Sequence, residues 1–357
     1  MTIDDINRAL SCRLEEERKE EDYRKYLEEF LSKYLDMVSA ISADAQKSEL
    51  PEGFVLDELL KELSSTNYAL LDAYTKYSEG KVASAIRIMC ERFMTPGAVR
   101  TMKISSSDDW YRVRTKERRG SGFLPKEMFH IPFSKRTEVV NYRYSISGYP
   151  CLYLGNTILT CWEEMSCPAL DDIVVSRVKL NKAESLPVLD LRMPKLLNEK
   201  PLFYDKPEDE VKSDNLQLLK TWPLIIACSI KTITPESSFK HEYVHPQLLM
   251  LALRESMSDM YGVAYTSTHI DKNIDDSALS YTNVAIPVRK VQATGYCQDL
   301  AAKFSLTRGV SFMEADLKNV FGPEYDEDDE VLNFSNIKFN QLEKYLGNIE
   351  LEVIKDN

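Results

Sequence analysis

Apolar residues recur at alternating spacings of four and three from Tyr23 through Leu27, Phe30, Tyr34 and Met37, the stripe that an amphipathic helix lays against a core. The run before it, Glu15–Asp22, is charged throughout and reads as a solvated stretch. Pro51 and Gly53 interrupt the pattern. Leu56, Leu59, Leu60 and Leu63 then open a second helix, Leu70, Leu71 and Tyr74 a third, and beyond Gly80 a fourth carries Val82, Ile86, Met89, Cys90 and Phe93. Thr95-Pro96-Gly97 closes the block, so residues 1–100 are predicted to form an all-α N-terminal domain. Its stripes read as a bundle core; a partner-docking face is the alternative.

After residue 100 the period shortens. Trp110–Arg114 alternates Tyr111 and Val113 with Arg112 and Arg114, which places both arginines on one face of a strand. Lys116–Arg119 with Gly120 and Gly122 reads as an exposed basic loop, and His130, among apolar neighbours, as a core histidine. Two strand-like pieces, Tyr142–Ser147 and Cys151–Leu154, flank a turn at Gly148-Tyr149-Pro150. A helix follows, capped by Asn156 or Thr157, with Ile158, Leu159, Trp162 and Met165 at helical spacing and Glu163 and Glu164 in its body. Further on, Ile173–Val178, Leu186–Leu191, Leu224–Ile230, Gly262–Ser267 and Thr282–Val288 read as strands. Leu216–Thr221 and Gln247–Met257 read as helices, and Glu199–Asn215 as a polar surface insertion. The acidic run Glu324–Glu330 reads as linker and Leu342–Ile354 as a last helix or strand. Strands and helices do not alternate regularly, so the fold class is α+β, with a domain over 101–320 and a C-terminal extension over 321–357.

Composition narrows the function. A chain of 357 residues with 43% hydrophobic content buries a full core. Its net charge of −12 argues against general nucleic-acid binding, which wants a basic surface. No stretch reaches the ~18 apolar residues of a membrane span, and MTIDDINRAL lacks a signal-peptide pattern. Seven cysteines without CxxC pairs fit reduced thiols, so a cytoplasmic protein is expected. His241-Glu242-Tyr243-Val244-His245 matches H-E-x-x-H, but Pro246 is expected to disfavour helical geometry at His245, and no metal is expected. There is no G-x-G-x-x-G, P-loop or G-x-S-x-G.

The stretch RYSISGYPCLYLG, followed by Thr160–Glu164, with YRV at Tyr111–Val113 upstream and GVAYTS at Gly262–Ser267 downstream, resembles the RES domain family, over roughly Trp110 to Arg289. The resemblance implies an ADP-ribosyltransferase-like core of two small antiparallel sheets around an NAD cleft. It assigns the family's Arg to Arg112, its Glu to Glu164 and its Ser to Ser267. A second arginine falls on Arg143, although Tyr142 and Ser145 replace the usual glycine and asparagine, and the leucine-tyrosine pair falls on Leu152 and Tyr153. Arg114, Tyr144 and Glu163 are further candidates.

On that resemblance Glu164 stabilises an oxocarbenium-like ribose as neutral nicotinamide departs. Arg112 and Arg143 fork onto the pyrophosphate, Tyr153 stacks on or closes the pocket, and Ser267 hydrogen-bonds near the ribose or an incoming phosphate. NAD is then substrate rather than cofactor. The acceptor is water, phosphate or a protein, and an antitoxin is the implied partner. The alternatives are an inactive NAD-binding or ADP-ribose-binding module, and an interaction protein acting through the N-terminal helices, which equally serve a regulatory partner or a homo-oligomer.

Overall fold

The computed structural model describes residues 1–16, 18–115, 123–181, 185–194, 206–256, 259–267, 281–312, 314–315 and 330–354, and over 330–337 the backbone alone. The basic loop at Lys116–Arg119 and the acidic run from Glu324 to Asp329 lie outside the described residues, as does the first part of the polar stretch at Glu199–Asn215. The chain forms two compact units. One comprises Met1–Met102, Tyr142–Tyr144 and Leu189–Met260; the other comprises Lys103–Asn141, Ser145–Val188 and Tyr261–Asn357.

The first unit is helical. With helices numbered along the whole chain, it holds α1 (Ile3–Glu15), α2 (Tyr23–Ser39), α3 (Ala43–Glu49), α4 (Leu56–Ser78), α5 (Val82–Phe93), α7 (Glu208–Ser229) and α8 (Val244–Glu255). Thr2 and Asp5 form a capping box on α1, Asp22 caps α2 and Ser42 caps α3, each satisfying amide donors that a helix start leaves open. The two segments expected at Leu56 and Leu70 are one helix, α4. Leu224–Ile230 is not a strand: through Ser229 it is the buried end of α7, in which every residue from Leu218 to Ser229 except Lys220 is buried. A helix buried all round shows no polar face, so its period vanishes from the sequence, and Pro223 mimics a stop. The expectation for Pro246 is corrected too. It sits in the first turn of α8, where its missing N–H costs nothing, and His245 is helical.

The second unit is built on strands β1 (Thr101–Ser105), β2 (Trp110–Thr115), β3 (Cys151–Gly155), β4 (Ile173–Leu180), β5 (Ser185–Leu191), β6 (Val263–Thr266), β7 (Thr282–Pro287), β8 (Phe304–Leu306) and β9 (Glu352–Val353), ordered β1-β5-β6-β7-β3-β2-β4-β8-β9. The chain passes between the units within β1 and β5. Helices α6 (Ile158–Glu164), α9 (Gln298–Lys303) and α10 (Glu330–Gly347) accompany the sheet, so the fold is α+β. Tyr142–Ser147 is not a strand. It forms turns, with Gly148 at φ 75° where a side chain would be strained, and Ile146 bridging Tyr149.

Pairing along the sheet is uneven. β2 pairs antiparallel with β4 at six positions and β3 with β7 at five, but β2 and β3 meet at one pair, Tyr111↔Gly155. The sheet is therefore nearly two sheets joined at that point. Over it, α6 packs on Tyr111 and Val113 through Ile158, Leu159 and Cys161, and α10 closes this core with Phe339, Leu342 and Leu346. No helix among the described residues is long and apolar enough to cross a membrane.

Candidate functional site

The site grows from the junction of β3 and α6. Gly155 ends β3 where α6 comes close: a Cβ there would lie 2.6 Å from Cys161 Sγ. Thr157 then caps α6, its hydroxyl accepting from the Thr160 amide at 3.0 Å. Asn156 ties the junction to β7, because its Oδ1 accepts from the Thr282 amide at 2.9 Å and from the Thr160 hydroxyl at 3.1 Å. A second support comes from α10, where Glu343 Oε1 accepts from the Ile158 amide at 2.7 Å. Burial pushes the Glu343 carboxyl up to about 7, against the pull of that amide.

Glu163 and Glu164 part company. Glu163 is buried, with the Cys167 thiol 3.4 Å from its Oε2. Glu164 is half-buried and reaches β7 instead, its Oε1 accepting from Asn283 Nδ2 at 2.7 Å. The helix stops just beyond: Ser166 (φ 60°) and Cys167 (φ 53°) are both left-handed, and their amides return to the carbonyls of Glu163 and Trp162. Two consecutive non-glycine residues in this region cost of order 1–3 kcal/mol each, which the surrounding contacts must offset.

Strand register defines what shares a face with Glu164. Asn283 lies opposite Gly155 and Tyr265, and the ladder continues past β6 through the Ser267 amide, which donates to the Tyr281 carbonyl at 3.2 Å. Side chains alternate along strands, so Tyr265, Ser267, Tyr281 and Asn283 lie on the face that α6 covers, together with Tyr153 two residues before Gly155. Ser267 is buried there. The Tyr153 hydroxyl is buried near Cys151 and Ser145 without a well-aligned hydrogen bond, and burial raises its pKa well above the ordinary phenol value. Cys151 and Cys161 are held as thiols, since burial pushes both to about 12.

Arg112 occupies the fork where β2 leaves β3. Its Nη1 donates to the Tyr153 carbonyl at 2.8 Å, beyond the last ladder pair, while its Nε is buried without a partner. Burial, and then the neighbouring Arg114 cation, pull the Arg112 pKa down to about 9. A guanidinium keeps its proton, and no carboxylate pairs with Arg112 among the described residues, so it is a buried cation without a counter-charge. Arg114 Nη2 donates to the Phe129 carbonyl at 2.6 Å. His130 is neutral: Nε2 accepts from the Cys297 amide at 2.9 Å, leaving the proton on Nδ1 for the Ile131 carbonyl, and burial lowers its pKa to about 4.

Two predicted residues lie in the helical unit instead. Arg143 Nη1 donates at 3.0 Å to the carbonyls of both Cys228 and Ile230 at the end of α7, and the guanidinium stacks 5.1 Å from the centre of the Tyr243 ring. Tyr144 is buried beside Cys228. The structure thus sets Glu164, Tyr153 and Ser267 on one sheet face, leaves Arg112 in the same unit but on the side of β2 away from Tyr111 and Val113, on which α6 packs, and commits Arg143 to a helix end. In the histidine motif, His245 Nε2 faces the Leu70 carbonyl at 3.0 Å and Nδ1 the Tyr23 hydroxyl at 3.2 Å, so neither nitrogen is open to a metal. Asn283 has no marker in the sequence; an asparagine inside a strand signals nothing until its partner is known.

Among curated proteins, the chain is 30% identical over 302 residues to the protein named "Putative toxin YopC" of Bacillus subtilis (strain 168), covering 82% of this chain and 66% of that protein. It therefore spans just under two thirds of that relative's length. No family model matches the chain, and no solved structure matches it.

Proposed function

We propose that this chain is a toxin-type enzyme of the RES kind that consumes NAD by cleaving its nicotinamide N-glycosidic bond. The observation that carries the reading is the Glu164 carboxylate at the end of α6, anchored through one oxygen on the sheet face that also bears Tyr153 and Ser267. The toxin name of the relative and the residues shared with the RES pattern support it.

The chemistry follows from the substrate. Nicotinamide leaves NAD as a neutral molecule from a cationic centre, so no general acid is required, unlike the paired carboxylates of sugar hydrolysis. Positive charge develops on the ribose, where a fixed carboxylate at Glu164 stabilises the transition state by an amount on the order of 10²–10³-fold in rate. Arg112 supplies an unneutralised guanidinium for the pyrophosphate, whose charge does not change during cleavage, and so contributes to affinity more than to turnover. Tyr153 packs against a ring of the substrate, and Ser267 hydrogen-bonds the ribose or the acceptor. Under this reading the partner is an antitoxin that silences the site.

The test is incubation of the purified protein with NAD, with and without phosphate, followed by identification of products. Release of nicotinamide with ADP-ribose indicates hydrolysis, and with ADP-ribose-1″-phosphate phosphorolysis. Label retained on protein indicates ADP-ribosyl transfer. Intact NAD under all conditions overturns the proposal.

A further inference from the structure

We infer that Asn283 is the residue that aims Glu164, acting as a positioning residue for the proposed cleavage. The inference rests on the functional reading above for its chemistry, but its geometry stands independently.

Asn283 is buried at 5% exposure on β7, between Gly155 of β3 and Tyr265 of β6. The absence of a side chain at Gly155 lets α6 lie close to the sheet, which brings the end of the helix within reach of a side chain as short as asparagine. Its Nδ2 donates to Glu164 Oε1 at 2.7 Å, a short contact for a nitrogen donor and typical of a carboxylate acceptor. One carboxylate oxygen is thereby fixed by a neutral group, which leaves the charge of Glu164 uncancelled and Oε2 for the substrate. A lysine or arginine in the same place would hold the carboxylate equally well but neutralise the field that stabilises a developing cation.

The backbone on either side is fixed as well. The Thr282 amide is held by Asn156, at the start of the α6 segment, so the residue before Asn283 and the junction leading into α6 are tied together. At the other end of the helix, the left-handed pair Ser166 and Cys167 stops α6 immediately after Glu164, preventing the carboxylate from sliding by a further turn. Asn283 thus supplies the only part of this arrangement that touches the carboxylate itself among the described side-chain contacts of Glu164.

The experiment combines kinetics with a readout that does not depend on turnover. In wild-type protein, one Nδ2 proton of Asn283, followed by NMR, should be protected from solvent exchange, and Glu164→Ala should abolish that protection. Asn283→Ala should lower kcat for NAD cleavage by about 10–100-fold, the range for a hydrogen bond to a charged group, with KM changed less than about threefold. Asn283→Asp, of the same shape, sets a second carboxylate against Glu164. The two cannot both ionise readily, so the acid limb of its pH–rate profile should move upward by at least about one pH unit. If wild-type protein leaves NAD intact, the functional reading fails while the exchange measurement still decides the contact. If the amide proton is unprotected in wild type, or if Asn283→Ala and Asn283→Asp keep wild-type kcat and pH profile, the positioning role is overturned. Should both variants fail to fold, the exchange measurement on wild type and Glu164→Ala decides.

Discussion

Adjacent glutamates separate at the scale of single residues. Glu163 is buried beside Cys167, whereas Glu164 crosses to β7, because successive side chains on a helix diverge by about 100°. Glu164→Gln keeps the shape and the reach to Asn283 but loses the charge. It is expected to fold, to bind NAD, and to lose at least about 10²-fold in cleavage. Glu163→Gln should retain cleavage. Full activity retained in both, measured by nicotinamide release, would remove the carboxylate mechanism. The two arginines separate in the same way. Arg112→Lys cannot both hold the Tyr153 carbonyl and offer a planar fork to phosphate, so its KM for NAD should rise about 10–100-fold with little change in kcat. Arg143→Ala should leave KM near wild type and instead destabilise the fold, by about 1–3 kcal/mol in a denaturant titration. It removes a cation that serves two carbonyls at the end of α7.

Helix α6 is a short element whose position depends on its neighbours. Seven residues do not hold a helix by propensity; Thr157, Glu343 and the packing of α10 do so. Glu343 brings a pH dependence with a definite sign. Its folded pKa of about 7 lies above the ordinary carboxylate value, so the protonated form is favoured by folding. That contribution is full below about pH 4.5 and is lost as pH rises through about 7. Glu343→Gln keeps an acceptor for the Ile158 amide without a charge to bury. It should therefore be more stable than wild type at pH 8, and the advantage should disappear near pH 5, as read from thermal midpoints at the two pH values.

For the molecule as a whole, among the described residues each unit carries one buried neutral histidine, His245 in the helical unit and His130 in the other, both lowered to about 4 by burial. Below pH 6.5 the unfolded chain takes up protons that the folded histidines refuse until about pH 4. Stability should therefore fall across that window by roughly 3 kcal/mol per histidine. Urea titrations of Glu343→Gln at pH 7 and pH 5, in which the opposite contribution of Glu343 to the second unit is absent, test this; Trp222 reports on the first unit, and Trp110 and Trp162 on the second. Unchanged midpoints in that variant would mean that both rings take up protons in the folded state as readily as in the unfolded chain.

Much of this architecture follows from local periodicity. The stripe from Tyr23 to Met37 is α2, the alternation at Trp110–Arg114 is β2, and the runs near Gly262 and Thr282 are the paired strands β6 and β7, because a buried face imposes its period on the residues that form it. Likewise, His130 among apolar neighbours is a satisfied core histidine. Periodicity was silent where no face is exposed, as along the end of α7, and misleading at Tyr142–Ser147, where aromatic residues alternate in a segment that turns. The tertiary structure alone decided the contacts that give single residues their work. Asn283 meets Glu164 across 119 positions of sequence, Glu343 meets Ile158 across 185, and Arg143 meets Cys228 across 85. A hydrogen bond needs its partners within about 3 Å, and no local preference of either residue encodes where the chain will return to supply the other.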